Sequence, residues 1–258
     1  METKFDFKDE NFRKDLKKNA TGLFNGILIF IKSVFSFYKD VDKNATINSI
    51  KKDISMRGTT AWILICSILI ASVGLNSDST AVVIGAMLIS PLLGPILGLG
   101  LSISTNDIYT LKNSIINTLV MVFLSIGTAY IFFISIPISE ETPELLSRTS
   151  PDIRDVLIAF FGGLALIIAK TKKENISSAI FGVAIATALM PPLCTVGYYL
   201  AEGELLKARG AILLFLINTL YIIVATFLTL KVLRFPLIVY ANSRRRRFIA
   251  NAIALIAI

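Results

Sequence analysis

The sequence predicts an all-α integral membrane protein. Its six transmembrane helices form two inverted three-helix repeats, with helices two and five broken at proline near mid-membrane. An amphipathic interfacial helix precedes them. Three observations carry this. Hydrophobic residues make up 54% of the 258 and mean hydropathy is +0.72, above the roughly 45–50% apolar share of globular chains. Several apolar runs approach the ~20 residues needed to cross a bilayer. Two of these runs pass from a glycine to a proline over ten positions: Gly85 to Pro95 and Gly182 to Pro192.

Residues 1–57 form a basic region predicted to be cytoplasmic. Within it Leu23, Ile27, Phe30, Ile31, Val34, Phe35 and Tyr38 recur at helical spacing, interrupted by Thr21, Asn25, Lys32 and Ser36. A stripe of this kind with a basic residue favours a helix lying in the interface. A helix packed on a neighbouring subunit is the alternative, and a true span ranks third because of Lys32.

The first repeat, 58–136, holds spans near 59–75, 80–103 and 111–136. The turn Asn76-Ser-Asp78-Ser-Thr80 supplies helix N-caps. An external acidic loop, 137–152, with Glu140, Glu141 and Glu144 divides the halves. The second repeat, 153–235, holds spans near 153–170, 177–201 and 209–233. Residues 236–258 contain Pro236, Arg244–Arg247 and an apolar tail of 11 residues. That tail is too short to span, so the chain is expected to continue into a further region.

Charge sets the orientation. With the N-terminus in the cytoplasm, 22 of the 26 Lys and Arg face inward, and only Arg148, Arg154, Lys207 and Arg209 fall outside. Basic residues concentrate on the cytoplasmic side of membrane proteins. The net charge of +8 is thereby assigned to the membrane surface rather than to nucleic acid. The first 19 residues are charged throughout, so a cleavable signal peptide is not expected.

A shift of 97 places Arg57 on Arg154, Asp78 on Asn175, Gly85 on Gly182, Ser90 on Thr187, Gly94 on Pro191, Pro95 on Pro192 and Gly100 on Gly197. The strings Ile-Asn117-Thr118-Leu and Ile-Asn218-Thr219-Leu match at a shift of 101, which predicts a short insertion. Three spans per half is odd, so the second half enters the membrane from the opposite side. Transporters built this way bind solute between the halves at mid-depth.

The breaks carry the predicted site. Proline removes a backbone donor and clashes with the preceding turn. Pro91 and Pro95 free the carbonyls of Met87 and Pro91, and Pro191 and Pro192 free those of Thr187 and Ala188. If a helix restarts there, Pro95 or Pro192 suits its first position, and its N-terminus directs backbone donors at a solute. The alternative is a kinked helix whose carbonyls are satisfied by Ser90, Thr187 or water. The predicted substrate-binding set is Ser90, Pro91, Gly94, Pro95, Thr187, Pro191, Pro192 and Thr195, with Asn117 and Asn218 from spans three and six. For each asparagine an interhelical hydrogen bond is an equal reading. Asp78 and Asp155 are candidate coupling groups, against cap or turn duty for Asp78 and a pairing of Asp155 with Arg154. No carboxylate falls at mid-span, where proton relays keep one.

The chain has no histidine and only Cys66 and Cys194, both in apolar spans. His-ligated metal sites and His-based acid–base chemistry are excluded, a disulfide framework is not expected, and no cofactor is called for. With no nucleophile–base set either, an enzyme is not expected. The primary expectation is a transporter of a small polar or zwitterionic organic solute by alternating access. A passive channel of the same fold and a membrane scaffold or sensor are the alternatives. The expected partners are the lipid bilayer, a small-molecule substrate and further copies in a homo-oligomer.

Three strings resemble a known family: Met56-Arg57-Gly-Thr-Thr, Ile70-Ala-Ser-Val-Gly-Leu-Asn76, and Val83-Ile-Gly-Ala-Met-Leu-Ile-Ser-Pro-Leu-Leu-Gly-Pro-Ile-Leu-Gly98-Leu-Gly100. With Ala184-Ile-Ala-Thr-Ala-Leu-Met-Pro-Pro-Leu-Cys-Thr-Val-Gly197, they are similar to the prokaryotic "uncharacterised hydrophobic domain" proteins, domain of unknown function number three hundred and eighty-nine. The likeness covers roughly 55–205. It implies a multi-pass protein of a prokaryotic cytoplasmic (inner) membrane and no particular activity. Members are often longer, in keeping with a chain that continues past Ile258.

Overall fold

The computed structural model describes residues 41–136, 141–172 and 189–238. The interfacial helix expected over 20–38, Thr187 and the tail after 238 lie outside the described residues. The chain divides into two units at Val41/Asp42, and the helices below belong to the second.

The described residues are helical, with no strand among them. Helix α1 (Lys43–Asp53) is N-capped by Asp42, whose carboxylate accepts from the Ala45 N–H at 2.9 Å. Thr46 and Ile50, one turn apart, face inward. Gly58, at φ 53°, turns the chain into α2 (Thr59–Asn76). Asp78 takes a left-handed conformation (φ 49°) in the turn to α3 (Thr80–Ile89). After Ser90-Pro91-Leu92 the chain resumes as α4 (Leu93–Thr105), bent by 54° from α3.

Helix α5 (Ile108–Ser135) is N-capped by Asp107, which accepts from the Thr110 N–H. At 28 residues it is about 42 Å long. The short α6 (Pro143–Leu146) is capped by Thr142. Helix α7 (Ile153–Thr171) opens on a reciprocal capping box between Asp152 and Asp155, which satisfies two otherwise orphaned N–H groups. Arg154 pairs with Asp152 rather than with Asp155. Helices α8 (Met190–Ala201) and α9 (Leu205–Val232) complete the described bundle.

Helices α2, α5 and α9 are each long and apolar enough to cross a membrane, and α3 with α4 makes a fourth such segment if the bent pair counts as one. With their exposed apolar surfaces, among them Trp62, Phe123, Ile131 and Leu213, they make this a membrane protein.

The helix boundaries carry a regular offset. Helices α4 and α8 start at Leu93 and Met190, 97 positions apart. Helices α5 and α9 start at Ile108 and Leu205 and end at Ser135 and Val232, again 97 apart at both ends. The turns before them match as well. Asn106 (φ 63°) and Gly203 (φ 79°) are both left-handed, and Asp107 N–H donates to Ser102 O as Glu204 N–H donates to Tyr199 O, at 2.9 and 2.8 Å. The insertion expected from the two Asn-Thr-Leu strings is therefore not needed. Asn117 and Asn218, 101 apart, sit one helical turn out of that register.

Helices α4 and α8 cross the interior, each packed against both α5 and α9. At one end lie α1, the start of α5 and the last turn of α7. At the other lie α6, the α2–α3 turn and the start of α9, joined by bonds such as Thr142 Oγ1 to Leu75 O.

Candidate functional site

The break between α3 and α4 is built from three unlike residues in a row. Ser90 closes α3 with an extended backbone (ψ 129°), a conformation that the following Pro91 favours. Gly94 and Pro95 then occupy the second and third positions of α4. Pro95 is thus not the first helical residue, and neither is Pro192, which is third in α8. The first turn of any helix has no acceptor for its N–H groups, so both prolines sit there without losing a bond. Two of the freed carbonyls, those of Met87 and Pro91, find local partners. Ser90 N–H donates to Met87 O and Gly94 N–H to Pro91 O, both at 3.3 Å. The Ser90 hydroxyl accepts from Leu92 N–H at 3.4 Å.

A cavity of about 430 Å³ opens beside this break, within the usual range for small-ligand pockets. Ser90, Pro91 and Gly94 line it, together with Lys52 and Asp53 from α1 and Lys170 from α7. Lys170 donates to Asp53 Oδ2 at 2.7 Å, and its side chain is only 11% exposed. Gly94 is needed for this arrangement. A Cβ there would stand 2.0 Å from the Asp53 carbonyl oxygen, so only glycine lets the end of α1 seat on the start of α4.

The other sequence candidates lie apart from the cavity. Pro95, Pro191, Pro192 and Thr195 are buried in the interior of the bundle. The Thr195 hydroxyl has no hydrogen-bond partner among the described residues. Asn218 is buried on α9. Asn117 is engaged at both ends of its amide: its Oδ1 accepts from Met56 N–H at 3.1 Å, and its Nδ2 donates to Asn113 O at 2.8 Å. It braces the segment after α1. The Asp78 carboxylate accepts from Glu144 N–H at 3.3 Å, and the Asp155 carboxylate from Asp152 N–H at 2.8 Å. Both are thereby tied into the α6 end.

Two further carboxylates clasp the ends of the bundle. Lys51 donates to Asp107 at 2.7 Å. Burial pushes the Asp107 pKa up, but Lys51 and the two Thr110 donors outweigh it and hold the group below its ordinary value. At the α6 end, Glu141 accepts from the Tyr199 hydroxyl and from Lys207. The Tyr199 hydroxyl is the strongest influence on Glu141; burial opposes it, Lys207 assists it, and the pKa is lowered.

Lys52, Asp53 and Lys170 are not among the residues that the sequence singles out: Lys52 and Asp53 fall within the basic region 1–57, and Lys170 among the inward-facing charges. The available signal was a lysine at the end of the apolar stretch 156–169, a position that favours a nearby anion where the lysine is enclosed.

A family model described as "Domain of unknown function (DUF389)" matches residues 87–224, which include the break, the cavity face of α4 and helix α8. An uncharacterized protein of Methanocaldococcus jannaschii is 35% identical over 163 residues, covering 62% of this chain and 49% of that protein. The chain thus matches about half the length of that relative. No solved structure matches the chain.

Proposed function

We propose that this chain, which belongs to the DUF389 family, is a membrane transporter for a small polar or zwitterionic organic solute, working by alternating access between two inverted three-helix repeats. The observation that carries this is the cavity at the restart of α4, lined by Ser90, Pro91 and Gly94 and walled by charged groups. Interrupted spans in matching positions of two halves are the strongest sequence pointer to a transporter's site. Irregular backbone at membrane depth is tolerated only beside protein or a polar cavity.

The repeat reading gives six spans: α2, α3 with α4, and α5 in one half; α7, the span that ends in α8, and α9 in the other. The 97-residue offset of helix starts, helix ends and turns supports it. The packing supports a two-fold relation, since α4 and α8 each lie against the third helix of both halves, and the odd number of spans per half makes that relation an inverted one. Such a core can rock one half against the other around a fixed site, which is the motion alternating access requires. The count of Lys and Arg favours a cytoplasmic N-terminus and puts α6 outside.

Flux in proteoliposomes tests the proposal. A carrier saturates and supports counterflow of labelled solute, whereas linear, voltage-driven flux would identify a channel. A ligand found by thermal-shift screening should lose affinity when Ser90, Pro91 or Gly94, which line the cavity, is altered. Unchanged affinity in all three variants would move the site elsewhere.

A further inference from the structure

The charge balance of the cavity is unusual. Its wall carries two ammonium groups, Lys52 and Lys170, against a single carboxylate, Asp53. The positive N-terminal end of α4 adds to that excess. Lys170 and Asp53 differ sharply in exposure: the lysine side chain is 11% exposed and the aspartate 44%. An ammonium so enclosed must be matched by an anion. The anion present comes from α1, an element outside the two repeats. Asp53 is its last residue, and its carbonyl rests on Gly94, at the restart of α4.

We infer that Lys170 is the carboxylate-binding residue of this cavity, and that Asp53 holds its place as an internal stand-in for the carboxylate of the solute. The inference rests on the reading of the cavity as a solute site and names the class that site takes: small organic carboxylates, amino acids included. When such a solute enters, its carboxylate accepts the Lys170 hydrogen bonds, with Lys52 and the Ser90 hydroxyl beside it. The Asp53 side chain then turns to solvent, where nearly half of it already lies. Exchange of one carboxylate for another keeps Lys170 neutralised throughout, so no uncompensated charge is created in the process. It also breaks the ion pair that ties the end of α1 to α7.

The test is equilibrium binding to the full chain in nanodiscs. Acetate, succinate and glycine serve as carboxylate probes, with choline and glycerol as controls. The carboxylates should bind and the controls should not. Asp53→Asn removes the competitor and should tighten carboxylate binding by about tenfold, the scale of one charge-assisted hydrogen bond. Lys170→Gln should abolish binding in either background. Because Lys170→Gln alone leaves Asp53 without its partner and risks misfolding, the exchanged pair Asp53→Lys with Lys170→Asp is the control. It restores an ion pair and the fold, and should still fail to bind carboxylates. Carboxylate binding that ignores Lys170→Gln, or an Asp53→Asn variant that binds none of the three probes, would overturn the inference. Lys170-dependent binding without any flux would refute the transporter reading and leave this one standing. Saturable flux of a non-carboxylate, unaffected by Lys170→Gln, would do the reverse.

Discussion

Gly197 lies so close to Ala129 that a Cβ built on it would come within 2.5 Å of the alanine methyl and 2.8 Å of the Tyr130 amide nitrogen. Gly100 stands in the same relation to Thr226, with a built Cβ 2.5 Å from the threonine Cβ. Residues 100 and 197 are 97 apart, and so are 129 and 226. Helix α8 is thus seated by a glycine on α5, and α4 by a glycine on α9. Reciprocal contacts of this kind are what the proposed two-fold repeat requires.

Gly100→Ala and Gly197→Ala should both lower thermal stability in detergent, each by about 1–3 kcal/mol, the usual cost of overpacking. Gly197→Ala should be the worse, because backbone cannot yield. Gly85→Ala and Gly127→Ala meet nothing within 4 Å and should be neutral or stabilising by up to about 1 kcal/mol. Equal melting temperatures across all four variants would remove the glycine contacts from the account of the fold.

Asn117→Leu should destabilise the protein by about 1–3 kcal/mol, because it leaves the Met56 N–H without its acceptor. Hydrogen exchange at Met56 should speed up in step. A stable variant with lost solute binding would instead return Asn117 to the substrate-binding set.

The Lys51–Asp107 clasp should give stability a pH dependence of definite sign. The Asp107 pKa is lowered on folding from its ordinary 3.8, so its contribution is complete above that value and disappears as pH falls through the folded value. The wild type should therefore be more stable than Asp107→Asn at pH 7, and the gap should close at strongly acidic pH. A gap that widens on acidification would contradict the direction of the shift.

Inversion of the repeats can be read by labelling. With Cys66 and Cys194 replaced, Asn106→Cys and Glu202→Cys should react with a membrane-impermeant maleimide from opposite faces of the bilayer. These residues occupy the α4–α5 and α8–α9 turns. Labelling of both from one face would rule out an inverted pair.

Much of the local structure was legible in the chain. Asp42, Asp107 and Asp152 cap helices as short polar side chains do, and the stop at Ser90-Pro91 follows from proline's missing donor. The 97-residue spacing of Gly85 to Pro95 and Gly182 to Pro192 recurs in the starts of α4 and α8 and of α5 and α9, whereas the strings at Asn117 and Asn218 stand 101 apart. A four-residue string repeats easily in apolar helices, while the register of α5 and α9 is fixed by where Ala129 and Thr226 meet their glycines.

The sequence by itself determined that this is a helical membrane protein with a broken second segment, because apolar run length and proline act on the chain within a turn or two. Only the tertiary structure decided that Asp53 meets Lys170, 117 residues away, and that Gly94 makes room for the main chain of α1. Those contacts depend on where separate helices come to rest. That position is set by close packing of many small surfaces, which no single stretch of sequence contains.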